Sequence, residues 1–180
     1  MAKGLKYKLG LRALKKLSVA RPRNRSFMPF GEVKDVLLAW DESQHEQDIH
    51  SIQKFIQFLE KHGKQVQTVV YHHTRKESKI TIPEGDTSIH LSRRDFNAFG
   101  MPRSLQIKKL LSTQFDYFIN MNLDGRLTLK SIAGFTNAAC RIGFQRDKAI
   151  SFYDLLIGSQ NEPDMQQYVK DLQHYLQKIG

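Results

Sequence analysis

The sequence predicts an α/β protein: a single Rossmann-like, mainly parallel sheet with helices on both faces, preceded by a basic N-terminal helix. Three observations predict it. From residue 35 onward short apolar runs alternate with segments of helical spacing, the pattern of strand–helix–strand crossovers. The run Val36-Leu37-Leu38-Ala39-Trp40 has no polar position, as expected of a strand covered on both faces. A length of 180 residues fits one domain.

Taken in order, Tyr7, Leu11, Leu14 and Leu17 fall on one helical face, with Lys8, Arg12, Lys15 and Lys16 on the other. Residues 5–19 therefore read as an amphipathic basic helix. Pro22, within Arg21-Pro22-Arg23-Asn24-Arg25, ends it, because proline removes a donor and restricts its predecessor. The expected division is a basic arm and linker at 1–31 and a Rossmann-like domain at 32–180. After the Val36–Trp40 strand, Ser43-x-x-Glu46 has the spacing of a capping box. It opens a helix that buries Ile49, Ile52, Ile56 and Leu59, closed by Gly63 in the left-handed region.

Val66–Tyr71 is the second strand, and residues 74–86 form a polar connection. Thr87–Leu91 is the third strand, Leu105–Leu111 a short helix and Tyr117–Met121 the fourth strand. Leu127–Ala138 is expected to be helical, Arg141–Phe144 and Leu155–Gly158 to be short strands. Met165, Tyr168, Val169, Leu172, Leu176 and Ile179 keep helical spacing after an Asn161-Glu162-Pro163-Asp164 start signal.

Charge is concentrated at one end. Of 28 Lys and Arg, nine fall within residues 1–26, which hold no acid, so almost all of the net charge of +10 sits there. Such asymmetry points to a polyanion or anionic surface as partner of the arm, and not to a basic groove in the fold. Lys6, Lys8, Arg12, Lys15, Lys16, Arg21, Arg23 and Arg25 are the expected nucleic-acid-binding residues.

Several classes are disfavoured. A single cysteine, Cys140, excludes an internal disulfide framework and a multi-cysteine zinc cage, and reads as an inert core thiol. No apolar run has the length of a membrane span, and Lys6, Lys8 and Arg12 interrupt any secretory core, so cytoplasm is the expected compartment. The turn after the first strand reads Trp40-Asp41-Glu42-Ser43, not a glycine-rich phosphate cradle, and no P-loop motif occurs. No cofactor, metal or sequence-specific DNA contact is expected.

In an open parallel sheet, ligands bind beyond the carboxyl ends of the strands. That edge should carry Asp41, Glu42 and Ser43, then His72 and His73, then Arg93, Arg94 and Asp95, and finally Asn120, Asn122 and Asp124. Asp41, Asn120 and Asp124 are the candidates for catalysis; Asp41 serves equally well to complement the dipole of the following helix. Ser43 reads as an N-cap. His72 and His73 are adjacent on a strand, point to opposite faces, and make a poor metal pair.

Two resemblances add to this. The segment from Phe115-Asp116-Tyr117-Phe118-Ile119-Asn120-Met121-Asn122 through Arg141-Ile142-Gly143-Phe144 resembles the acceptor-side N-terminal Rossmann domain of heptosyltransferase-type glycosyltransferases. The whole layout, with its basic leader and the Tyr153-Asp154-Leu155-Leu156-Ile157 strand before a terminal amphipathic helix, resembles a family of short uncharacterised bacterial α/β proteins. The leading expectation is a non-catalytic binding protein whose arm contacts RNA, possibly on the ribosome, through phosphates, while the α/β body docks a partner or ligand. The alternatives are a minimal glycosyltransferase-like or nucleotide-binding enzyme using the strand-end rim, and a peripheral protein on an anionic membrane surface.

Overall fold

A computed structural model describes residues 4–19, 23–42, 44–73, 88–145, 150–158 and 164–178. Six strands form one parallel sheet in the order β3-β2-β1-β4-β5-β6: β1 (Asp35–Asp41), β2 (Gln65–His72), β3 (Ile89–Ser92), β4 (Gln114–Asn120), β5 (Asn137–Phe144) and β6 (Leu155–Ile157). This is the strand order of the doubly wound Rossmann sheet, in which the direction of winding reverses between β1 and β4. The β1 residues Val36, Leu37, Leu38 and Ala39 are wholly buried, as their unbroken apolar run requires.

Five helices cover the two faces: α1 (Leu5–Val19), α2 (Glu46–Lys61), α3 (Leu105–Ser112), α4 (Leu127–Phe135) and α5 (Met165–Lys178). One core layer joins Leu14 of α1, Ile107 and Leu111 of α3, and Leu129 and Ile132 of α4 to alternate residues of the sheet, such as Leu37 and Phe118. The opposite layer joins Ile52, Phe55 and Leu59 of α2 and Met165, Tyr168 and Leu172 of α5 to Val36, Leu38 and Ile119. Period 2 along the strands thus divides between two helical layers.

Helix α1 belongs to the first layer. Leu14 is fully buried. Gly10 and Gly134 let α1 and α4 run close together, so that an added Cβ would lie 2.6 Å from the Phe99 carbonyl at the one and 2.9 Å from Leu14 at the other. The Tyr7 hydroxyl donates to Gly125 O at 3.2 Å. The segment expected to be a linker is docked as well. Arg23 is paired with Asp154, Ser26 N donates to Ala139 O, Tyr117 donates to Met28 O, and Phe30 is buried in the second layer. The apolar stripe of α1 thus has the body as its partner at Leu11 and Leu14.

Other boundaries move for local reasons. β5 begins at Asn137, where a helix was expected to continue, because Thr136 is extended and Asn137–Ile142 pair with β4. Cys140 therefore lies within a strand. Helix α2 starts two residues later than the Ser43 capping box implies: its N-cap is His45, without a side-chain cap bond, while Ser43 lies outside the described residues. Residues 74–86, the expected polar connection, and Thr87, the expected start of the third strand, also lie outside them, as do Ile179 and the residues 159–163 before α5. The Ser92–Asp95 capping box, which begins a short 3-10 turn at Arg93–Asp95, was not anticipated.

Candidate cationic cleft at the carboxyl edge

The parallel strands deliver their carboxyl ends to one edge, and the polar residues expected there are found there in unequal roles. Asp41, the last residue of β1, is 0% exposed. Such a carboxylate needs compensation, and it has two partners. His73 Nε2 lies 2.8 and 3.0 Å from its two oxygens, and Arg126 Nε contacts Oδ2. The Arg126 Nη1 is in turn 3.5 Å from His73 Nδ1. Asp41 therefore ties the end of β1 to the turn after β2 and to the start of α4. Its charge is engaged in this pairing.

The neighbouring acid does similar work. Glu42 accepts from the His73 N–H at 2.6 Å, and its other oxygen lies 2.5 Å from His72 Nδ1. His72 Nε2 continues to His90 Nδ1 at 2.7 Å. The adjacent histidines thus engage different acids on different sides, as strand geometry demands. Among the described residues, no group of three or more His, Cys, Asp or Glu could hold a metal ion.

The three catalytic candidates do not converge on one pocket. The Asn120 amide donates to the Tyr153 hydroxyl at 2.6 Å, and its carbonyl accepts from Tyr168 at 3.3 Å. Asp124 is exposed in the turn before α4. Asn122 is buried and caps that turn, accepting the Arg126 N–H at 3.0 Å on Oδ1; its Nδ2 is buried with no acceptor among the described residues.

What does converge is positive charge. A cleft of two adjoining lobes opens at this edge. One lobe, of about 460 Å³, is lined by Lys6, Tyr7, Arg93, Phe99, Arg126 and the first residues of α4, among others. The other, of about 920 Å³, is lined by Arg94, Arg103 and Ser104. His73, Arg93, Phe96, Asn97 and Ala98 belong to both. Among the described residues, five Lys or Arg side chains line the cleft, and no carboxylate does. Four of them, Lys6, Arg93, Arg94 and Arg103, form no ion pair among the described residues.

Arg93 and Arg94 were visible in the sequence as residues following the third strand. Arg103 and Arg126 were not, because they lie in loops that only the topology brings to this edge. The expected phosphate-binding residues separate. Lys6 stands in the cleft, and Lys8, Arg12, Lys15 and Lys16 are exposed along α1. Arg21 lies outside the described residues. Arg23 is corrected to a structural role: its side chain is 6% exposed and bonded to Asp154. Arg25 is 74% exposed beside the same carboxylate.

No helix among the described residues is long and apolar enough to cross a membrane. No curated protein and no solved structure matches this chain. A family model matches residues 6–179, from the first turn of α1 to the end of α5, and the chain belongs to that family, the family of unknown function DUF6913.

Proposed function

We propose that the protein is a non-catalytic module that binds single-stranded RNA by its phosphates, using the cleft at the carboxyl edge and the outer face of α1. The observation that supports this most is the cleft itself, where Lys6, Arg93, Arg94 and Arg103, with no ion pair among the described residues, meet the Asp41-paired Arg126. Cations without a paired acid in a concave site raise the local potential and favour a polyanion. Lys6 links the cleft to the row of Lys8, Arg12, Lys15 and Lys16, and a helix of this length extends about 22 Å. Phe99, 45% exposed at the cleft, offers a face on which an unpaired base can stack.

Two alternatives lose ground on geometry. Asp41 is enclosed by Arg126 and His73, which removes the strongest candidate for an acid or base acting on a substrate. The middle of the apolar stripe of α1 is spent on the body, with Leu14 fully buried and Leu11 packed against the same layer, while Leu17 stays half-exposed. An interfacial helix would need that stripe for the membrane.

The test is a titration of the full chain with a short hydroxyl-ended uridine oligonucleotide, followed by fluorescence anisotropy. Each phosphate contact on a single strand contributes a log–log salt slope of about −0.7, so five contacts predict a slope of about −3.5. Affinity is then expected to fall about a hundredfold between roughly 50 and 200 mM salt. Arg93→Glu with Arg94→Glu, and separately Lys8, Arg12, Lys15 and Lys16 to Glu, should each weaken binding strongly. Absence of binding at the lower salt ends the reading. Binding to anionic vesicles alone, lost on changing the exposed Leu5 and Leu9 to Ser, would replace it with a membrane surface.

A further inference from the structure

We infer that the lobe between Arg93 and Arg126 seats one nucleotide by a terminal phosphomonoester, with its base stacked on Phe99. The inference rests on the phosphate-binding reading above and narrows it to a single unit at a single place. The phosphomonoester has two sources, the end of an RNA strand and a free mononucleotide.

The first argument is rigidity. Arg126 lines the lobe, and its Nε is held by Asp41, a carboxylate with no solvent exposure that also holds His73 at 2.8 Å. A guanidinium fixed from behind loses little freedom when its remaining N–H groups meet an anion. Surface lysines along α1 have no such support. The second argument is the count of donors. Arg93 and Lys6 face the same lobe without an ion pair among the described residues. The Arg126 N-cap makes no side-chain cap bond, so the first N–H groups of α4, at Leu127 and Thr128 in the lobe wall, have no capping side chain. At the same helix end the buried Asn122 fixes the turn by accepting the Arg126 N–H on Oδ1. A phosphodiester presents two non-bridging oxygens and one charge. A phosphomonoester presents three oxygens and close to two charges, and so fits this surplus of donors.

The third argument is the stacking surface. Phe99 follows Asn97, whose Oδ1 accepts the N–H groups of Phe99 and Met101 at 2.9 and 3.0 Å. Gly100, at φ 74°, completes the turn. The ring is therefore held out at the lobe by a turn with fixed ends, half-exposed, where a base adjoining the phosphate can lie against it.

The experiment compares one uridine oligonucleotide with a 5′-phosphate, a 3′-phosphate or hydroxyl ends, together with uridine and its monophosphates as competitors, on the full chain. One phosphorylated end is expected to bind at least about tenfold more tightly than the hydroxyl-ended strand, the worth of one or two charge-assisted hydrogen bonds. Arg93→Gln and Phe99→Ala each reduce that gain. Both side chains are exposed or unpaired, so the thermal midpoint should stay where it is and separate lost binding from lost folding. Lys54→Gln, on α2 across the sheet, keeps the gain in full. Competition by a uridine monophosphate but not by uridine supports the same site.

If hydroxyl-ended RNA binds and neither phosphate adds affinity, the inference is overturned while the RNA reading stands. If the monophosphate binds and no oligonucleotide does, the RNA reading falls and the free nucleotide is the source. If none binds, both are overturned.

Discussion

At Arg23 a single guanidinium holds three chain segments together. Nη1 donates to the carbonyls of Ala138 and Ala139 at 2.8 and 2.9 Å, and Nη2 donates to both oxygens of Asp154 at 2.5 and 2.6 Å. Asp154 also accepts the Arg141 N–H at 2.8 Å. Planar recognition of this kind is specific to arginine, because a fork can meet several acceptors at fixed angles. Removing it leaves a carboxylate and two carbonyls facing a gap. Breaking a buried pair costs about 3–5 kcal/mol, and partial exposure of Asp154 lowers that, so Arg23→Ala should destabilise by about 2–4 kcal/mol in urea unfolding. Arg23→Lys should recover only part of the loss, since a point charge cannot serve all four acceptors. A cost below about 1 kcal/mol would show that the pairing contributes little. In the sequence Arg23 was one basic residue among nine, because nothing local distinguishes a paired arginine from a solvated one; Asp154 is 131 positions away.

Among the elements, α1 and α4 pack through glycines. An exposed helical glycine normally gains about 1 kcal/mol on change to alanine. At Gly10 the sign should reverse. The added Cβ would meet the Phe99 carbonyl and Leu127 Cδ2, both at 2.6 Å, and a carbonyl in a fixed turn cannot move aside as a side-chain tip can. Gly10→Ala should therefore destabilise by about 1–3 kcal/mol, as overpacking does, and lower the thermal midpoint. A stabilised variant would mean that α1 is not seated there. The glycine pair also explains why the helix was legible and its docking was not. The spacing of Tyr7, Leu11 and Leu14 specifies an apolar stripe, but a stripe does not say what covers it. α5 was fully legible, from Met165 to Leu176, because its stripe is long and its partner layer is made of strands that were legible too. β5 was read short at its start, because Asn137-Ala138-Ala139 has weak strand character and only pairing with β4 makes it extended.

Across the whole molecule, function and stability draw on different charges. The carboxyl edge could be located in the sequence, since every strand of a parallel sheet ends there and Asp41, Arg93 and Arg94 follow strand ends. The cleft could not, because Lys6, Arg103 and Arg126 reach it from a helix and two loops that only the crossovers bring together. The core, by contrast, holds a thiol and two phenols in their neutral form, and this gives a pH dependence of definite sign. Burial pushes the Cys140 thiol up to about 12, and it raises the Tyr117 and Tyr71 phenols as well. For each, the folded chain retains a proton that the unfolded chain releases. Their contribution to stability is complete below the ordinary thiol value of 9.0 and is lost as pH rises from there toward the folded values. Lys64 acts the other way. Its ammonium donates to the carbonyls of Phe30 and Val33, and burial lowers its pKa from 10.5. The folded state is then penalised at low pH and relieved as pH rises toward 10.5. Three groups oppose one, so the urea midpoint should fall steadily from about pH 9 to about pH 11. Cys140→Ala removes one of the three, and its midpoint should fall less over the same interval even if the variant is less stable at neutral pH. A midpoint that holds level or rises above pH 9, with Cys140→Ala falling in parallel with the parent chain, would show that these side chains are not sealed in the core.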